Sequence, residues 1–182
     1  MKNVKFFIFI KDYKFLFFFT IFLMLNLILF SQPSLSEIEN SKKSINGSGL
    51  KVPRMASLKK SLTYVRTGPG KEFPIKSEIH QKGYPVEIIA EFNNWRKIKT
   101  RSNLSGWIHT QFLSSFKTGL IVSNTFLKKR PLDSSKDLAK LLPDLLIKIK
   151  KCKLTWCYIE VIKNKNFFGW VKMENIWGFT SK

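Results

Sequence analysis

Carboxylates are scarce in this chain, with 12 Asp and Glu against 32 Lys and Arg in 182 residues, a formal net charge of +20. No paired-acid motif for general acid–base work occurs among them. Histidine is scarcer still: His80 and His109 are the only two, and neither stands at metal-ligand spacing from Asp, Glu or Cys. The two cysteines, Cys152 and Cys157, have no histidine nearby and make a poor zinc site. A Gly-rich phosphate loop and a nucleophile elbow are also missing. These absences argue against an enzyme, and no metal or cofactor is expected.

Long apolar runs are limited to one place. Residues 15–30 carry no charge, and Lys2, Lys5, Lys11 and Lys14 precede them. A basic flank followed by an apolar stretch is the layout of a secretory signal peptide. Ser34 and Ser36 bracket Leu35, which suits cleavage before Glu37. The alternative is an uncleaved anchor, although a helix of that length spans only about 24 Å of a ~30 Å hydrocarbon core. Residues 1–36 are therefore expected to be a signal peptide or N-terminal anchor. The rest should lie outside the cytoplasm, free or tethered to the membrane.

Residues 37–57 are dominated by Ser, Asn, Gly, Pro and Lys and are expected to form a flexible linker. Beyond them one pattern is written twice. It runs Gly83, Val86-Glu87-Ile88, Asn94-Trp95-Arg96-Lys97-Ile98, Gly106-Trp107-Ile108, and again Asp144, Ile147-Lys148-Ile149, Thr155-Trp156-Cys157-Tyr158-Ile159, Gly169-Trp170-Val171. The same nine-residue step separates Val86 from Trp95 and Ile147 from Trp156, which argues for two copies of one β unit. Val86, Ile88, Ala90 and Phe92 alternate with Glu87, Ile89 and Glu91, the period of a half-buried strand. Pro143 interrupts the run from Leu138 to Ile149 that otherwise resembles an amphipathic helix, at a cost of ~3 kcal/mol to any such helix. Short strands at roughly ten-residue spacing indicate an all-β chain of two small barrels, over 58–117 and 118–182.

Cys152 and Cys157 are placed to meet across a hairpin if the strand ending near the first turns back at Trp156. An oxidising compartment favours a disulfide there, with free thiols as the alternative.

Tyr64-Val65-Arg66-Thr67-Gly68-Pro69-Gly70, the turn at Gly83, Asn94-Trp95-Arg96-Lys97-Ile98 and Gly106-Trp107-Ile108 together resemble the bacterial SH3-like domain. Two copies with a Cys-x-x-x-Trp-Cys element in the second are similar to exported tandem SH3-like proteins of proteobacteria. The resemblance covers about residues 61–178. The second copy departs from it at Leu127-Lys128-Lys129-Arg130-Pro131, which has no Gly-Pro after the basic residue. What the resemblance implies is a five- or six-stranded barrel, without catalytic residues, that attaches to cell-wall peptides or partner proteins.

Candidate ligand-binding residues are Tyr64, Arg66, Trp95, Trp107 and His109. Tryptophan rings suit sugar faces or Pro-rich segments, but they also serve as barrel packing. Trp95 is three residues before Ile98, and Trp156 three before Ile159, so each pair faces opposite sides of its strand. With the isoleucines inward, these tryptophans lean outward. Arg66 has the fork geometry for a carboxylate, or for the carbonyls of its own turn.

Residues 1–36 hold four lysines and one aspartate, so +17 of the +20 stays on the remainder. That charge attracts anionic cell-wall and lipid groups before nucleic acid, though scattered lysines are also an ordinary solvated surface. The expected function is an exported binding module for cell-envelope material such as peptidoglycan or its stem peptides. The alternative is docking of Pro-rich or extended segments of another envelope protein. Weak contact with an anionic membrane surface would collapse in salt.

Overall fold

A computed structural model of the chain describes residues 47–163 and 166–179. The signal or anchor expected over 1–36 lies outside them, as does the first part of the expected linker. Ser41–Lys182 forms one compact unit. It is all-β, with two antiparallel seven-stranded sheets.

The first sheet contains β1 (Arg54–Leu58), β2 (Thr63–Arg66), β3 (Ile75–Ile79), β4 (Pro85–Phe92), β5 (Trp95–Lys99), β6 (Ser105–His109) and β7 (Leu113–Ser114). The second contains β8 (Thr118–Ile121), β9 (Thr125–Lys128), β10 (Asp137–Leu141), β11 (Leu146–Lys153), β12 (Trp156–Val161), β13 (Phe168–Lys172) and β14 (Ile176–Trp177). Strand order is β3-β2-β6-β5-β4-β1-β7 in one and β10-β9-β13-β12-β11-β8-β14 in the other, the same path twice. Each sheet curls around its own core. Leu58, Val65, Val86, Ile88, Ile98 and Ile108 form one cluster. Leu127, Ile147, Ile149, Ile159 and Val171 occupy the matching places in the other.

Three strands escaped the sequence reading: β1, β7 and β14. The linker expectation fails from Arg54 onward, because Arg54–Ser57 pairs with Pro85–Ile88 in β4. Linker-like composition did not prevent this, since a strand needs backbone partners more than apolar side chains, and β4 supplies them. Strands β7 and β14 are two residues each, too short to show a period. With them each barrel has seven strands rather than five or six.

The alternation expected along β4 also breaks. Register shifts between Ile88 and Ala90, a β-bulge that turns the rest of the strand over. Glu91 then points inward and is buried, while Phe92 is 47% exposed. Strand β11 bulges at the matching place, between Ile149 and Lys151. Beyond the bulges, Glu91 pairs with Arg96 in the first sheet, and Cys152 pairs with Cys157 in the second. The two barrels thus close the same hairpin with different chemistry.

In the first barrel the closure is ionic. Arg96 Nε lies 3.0 Å from Glu91 Oε1, and its Nη1 donates to the turn carbonyls of Asn93 (2.7 Å) and Trp95 (2.9 Å). Arg54 also pairs with Glu91, and Ser48 donates to it through both its N–H and its hydroxyl. Burial alone would push the Glu91 carboxyl up, but the bonds from Ser48 and Arg54 and the Arg54 charge bring its pKa below the ordinary value. In the second barrel the closure is the Cys152–Cys157 disulfide, with Cα atoms 4.0 Å apart.

The barrels are joined by three residues, 115–117, and pack on each other. Thr118 Oγ1 donates to Gly83 O at 2.7 Å, and Ser57 Oγ to Phe116 O at 2.8 Å. Arg101 of the first barrel pairs with Asp144 of the second and donates to Val122 O at 3.2 Å. Gly83 and Asp144 take left-handed φ values of 81° and 62° at equivalent turns. Pro143 lies in the turn before β11, not within a helix.

Candidate functional site

In β6, Gly106 and Ile108 face the core while Ser105, Trp107 and His109 face outward. A side chain at Gly106 would meet Val65 Cγ1 at 2.5 Å and Arg66 O at 2.7 Å, so only glycine lets β6 approach β2 this closely. Gly169 is under the same constraint, with Lys128 O 2.7 Å from a built Cβ. The Gly-Trp pair therefore has a backbone reason: glycine admits the crossing, and alternation turns the next residue, tryptophan, to the outer face.

The five candidate residues meet on one surface. Strands β2, β6 and β5 are consecutive neighbours. Arg66 is opposite Trp107, Lys97 is opposite Trp107 on its other side, and Trp95 is opposite His109. Tyr64 precedes Arg66 by two residues and so shares its outward side; it is 41% exposed. Trp95 and His109 pack edge to face with centroids 5.3 Å apart. His109 Nδ1 accepts from Gln111 N–H at 3.3 Å, which fixes the ring and leaves Nε2 as the donor nitrogen. Trp95 and Trp107 are both half-buried.

Arg66 Nη1 donates to Phe73 O at 2.7 Å, so the guanidinium holds its own turn. That uses one of its five N–H groups. In the second barrel Lys128 does the same work, donating to Asp133 O (2.9 Å) and Ser135 O (3.3 Å). The turn there survives without Gly-Pro because a cation at the same position gathers its carbonyls.

Trp156 is the counterpart of Trp95, and its outward position does not make it accessible. It is only 8% exposed. Lys172, the partner where the first barrel has His109, lies 5.7 Å over its ring and is held there by Asp133 at 2.8 Å. Both tryptophans thus stand on the outer face of their strands, Trp95 as a half-buried ring and Trp156 covered by a tethered lysine. Trp170 packs edge to face on Tyr158 at 5.4 Å, with Lys151 above both rings.

Two residues of the site were missed in the sequence: Lys97, opposite Trp107, and Phe73, whose carbonyl takes the Arg66 bond and whose ring fills the space a Gly68 side chain would need. The alternation of β5 was a usable signal for Lys97. Nothing local marked Phe73. Among the described residues no group of His, Cys, Asp and Glu is arranged to hold a metal.

A seven-stranded sheet curled on one core, with a Gly-Trp crossing and an outer aromatic face, defines a small SH3-like barrel, and the chain carries two in tandem. Residues 60–114, within the first barrel, match the bacterial SH3 domain family model. Similar solved structures include NlpC2 and NlpC1 from Trichomonas vaginalis, both 11% identical with a TM-score of 0.32. They cover 69% and 75% of this chain and 48% and 49% of their own. An NlpC/P60 family protein from Bacillus cereus is 12% identical with a TM-score of 0.31, covering 68% of this chain and 55% of its own. The chain thus spans about half the length of these proteins. No curated protein matches it.

Proposed function

We propose that this chain is an exported, non-catalytic binding module that holds cell-envelope material, peptidoglycan or its stem peptides, on the outer face of the first barrel. It would act in the periplasm, free or anchored to the inner membrane. The observation that carries this reading is the gathering of Tyr64, Arg66, Trp95, Trp107 and His109 on one side of three adjacent strands. Flat rings beside a guanidinium suit a ligand with sugar or peptide faces and a carboxylate. The likeness of residues 60–114 to the bacterial SH3 domain supports an attachment role.

Sedimentation with purified sacculi at physiological salt tests the proposal. The protein should pellet above a charge-matched control, and Trp95→Ala with Trp107→Ala should return it to the supernatant. Retention equal to that of the control would defeat the reading.

A second reading, docking of an extended segment of another envelope protein, draws on β3. It is the outermost strand of its sheet, with Ile75 47% exposed. An open strand edge can accept a further strand from a partner. Pull-down of a defined envelope protein, unaffected by Trp95→Ala, together with no sacculus retention would favour it.

A further inference from the structure

Where the barrels meet, a cleft of about 880 Å³ opens, and five lysines line it: Lys59, Lys60 and Lys82 from the first barrel, Lys148 and Lys150 from the second. Glu160 is the one carboxylate in the lining among the described residues, and it is paired with Lys150. Lys59, Lys60 and Lys82 form no ion pair among the described residues. Four net positive charges from two domains thus face one cavity, of a size usual for ligand pockets at domain junctions.

The cleft is also apolar. Leu58 and Ile162 contribute to its lining, and Phe116 presents a ring that is 68% exposed. That exposure does not come from a loose connection. Phe116 O accepts from Ser57 Oγ at 2.8 Å, and Phe116 N–H donates to Ser114 Oγ at 3.2 Å. Lys148 Nζ stands 5.7 Å from the ring centroid. The ring is held at the junction under a cation, where an apolar side chain could lie on it.

We propose that this inter-barrel cleft binds an acidic peptide segment in which carboxylates alternate with apolar side chains, the carboxylates meeting the lysines and an apolar group covering Phe116. A peptide fits better than a phosphate compound because strands and their connections line the cleft, and among the described residues no helix N-terminus aims N–H groups into it. Lysine ammonium groups on flexible stems read charge without demanding the bidentate geometry that arginine gives phosphate. The site is separate from the outer aromatic face, and the proposal does not rest on the reading of that face.

The test uses the full chain and a fluorescein-labelled hexapeptide alternating Glu with Leu, followed by anisotropy. Saturable binding is expected, and Lys60→Glu with Lys148→Glu should weaken it roughly tenfold or more, since each reversal replaces an attraction by a repulsion. Lys129→Glu with Lys140→Glu, the same charge change on exposed positions of the second barrel, should leave affinity within about twofold. Phe116→Ser should remove the preference for this peptide over hexaglutamate while leaving the melting curve in place. Equal weakening by both double variants would show diffuse charge attraction and overturn the proposal. Displacement of the peptide by inorganic triphosphate or a short oligonucleotide at lower concentration than by unlabelled peptide would also overturn it. Loss of sacculus retention in Trp95→Ala with peptide affinity unchanged would separate this site from the aromatic face.

Discussion

Replacing Glu91 by Gln tests whether the first barrel is closed by charge. The Glu91 side chain is fully buried, while those of Arg96 and Arg54 are 9% and 22% exposed. The amide keeps the volume and most of the hydrogen-bonding capacity but removes the counter-charge, leaving Arg96 desolvated without its partner. Removing one member of a buried pair costs roughly 3–5 kcal/mol, and the partial exposure of Arg54 places the expectation near 3. Protection of the β4–β5 amides against hydrogen exchange should fall about a hundredfold, while the β11–β12 amides keep theirs. Glu91→Cys with Arg96→Cys transplants the second barrel's closure into the first. It should recover about 2 kcal/mol under oxidising conditions, the loop-entropy value for so short a loop, and lose it on reduction. The pH dependence follows from the lowered pKa of Glu91. A depressed carboxyl stabilises the fold fully above its unfolded value, about 4.3, and the stabilisation disappears as pH falls through the folded value. Acid should therefore open the first hairpin before the second, and Glu91→Gln should remove that pH dependence, leaving the first hairpin weakened at every pH. A loss under ~1 kcal/mol for Glu91→Gln, or an oxidised double-cysteine variant no more stable than the reduced one, would refute the equivalence.

Reduction of the wild-type disulfide should lower protection in β11–β12 by an equilibrium equivalent of about 2 kcal/mol or less, with β4–β5 unchanged; exchange under dithiothreitol measures it. Gly106→Ala should destabilise the first barrel by roughly 1–3 kcal/mol, read from urea unfolding, because the Cβ meets Val65 and the Arg66 carbonyl, which is backbone. Arg66→Lys should keep the turn over 67–74 intact, since Lys128 performs that task in the second barrel, whereas Arg66→Ala should loosen it; amide exchange at Thr67, which donates to Pro74 O at 3.0 Å, reports the difference.

Much of the barrel could be read from spacing, because hydrophobic alternation and turn residues act locally. The central strands β4, β5 and β6 and their counterparts β11, β12 and β13 carry the repeat and stand where the pattern put them. What spacing could not show is a change of face within a strand. The bulge after Ile88 inverts Glu91 and Phe92, and an alternating sequence looks the same on either side of such a break. The five candidate residues of the outer face were individually visible, as aromatic or basic side chains near glycine turns. Their meeting on one surface depends on β2 lying next to β6, a pairing between segments about forty residues apart.

By itself the chain determined its class, its duplication and its hairpins, since a two-residue period, a glycine beside tryptophan and a proline in mid-run exert their effects over a few bonds. Only the tertiary structure decided that Trp156 is capped by Lys172, that Arg66 and Lys128 share one task, and that five lysines converge on one cleft. Those outcomes depend on which strands become neighbours and how two barrels dock. Such placements follow from packing across the whole sheet, and no short stretch of residues encodes them.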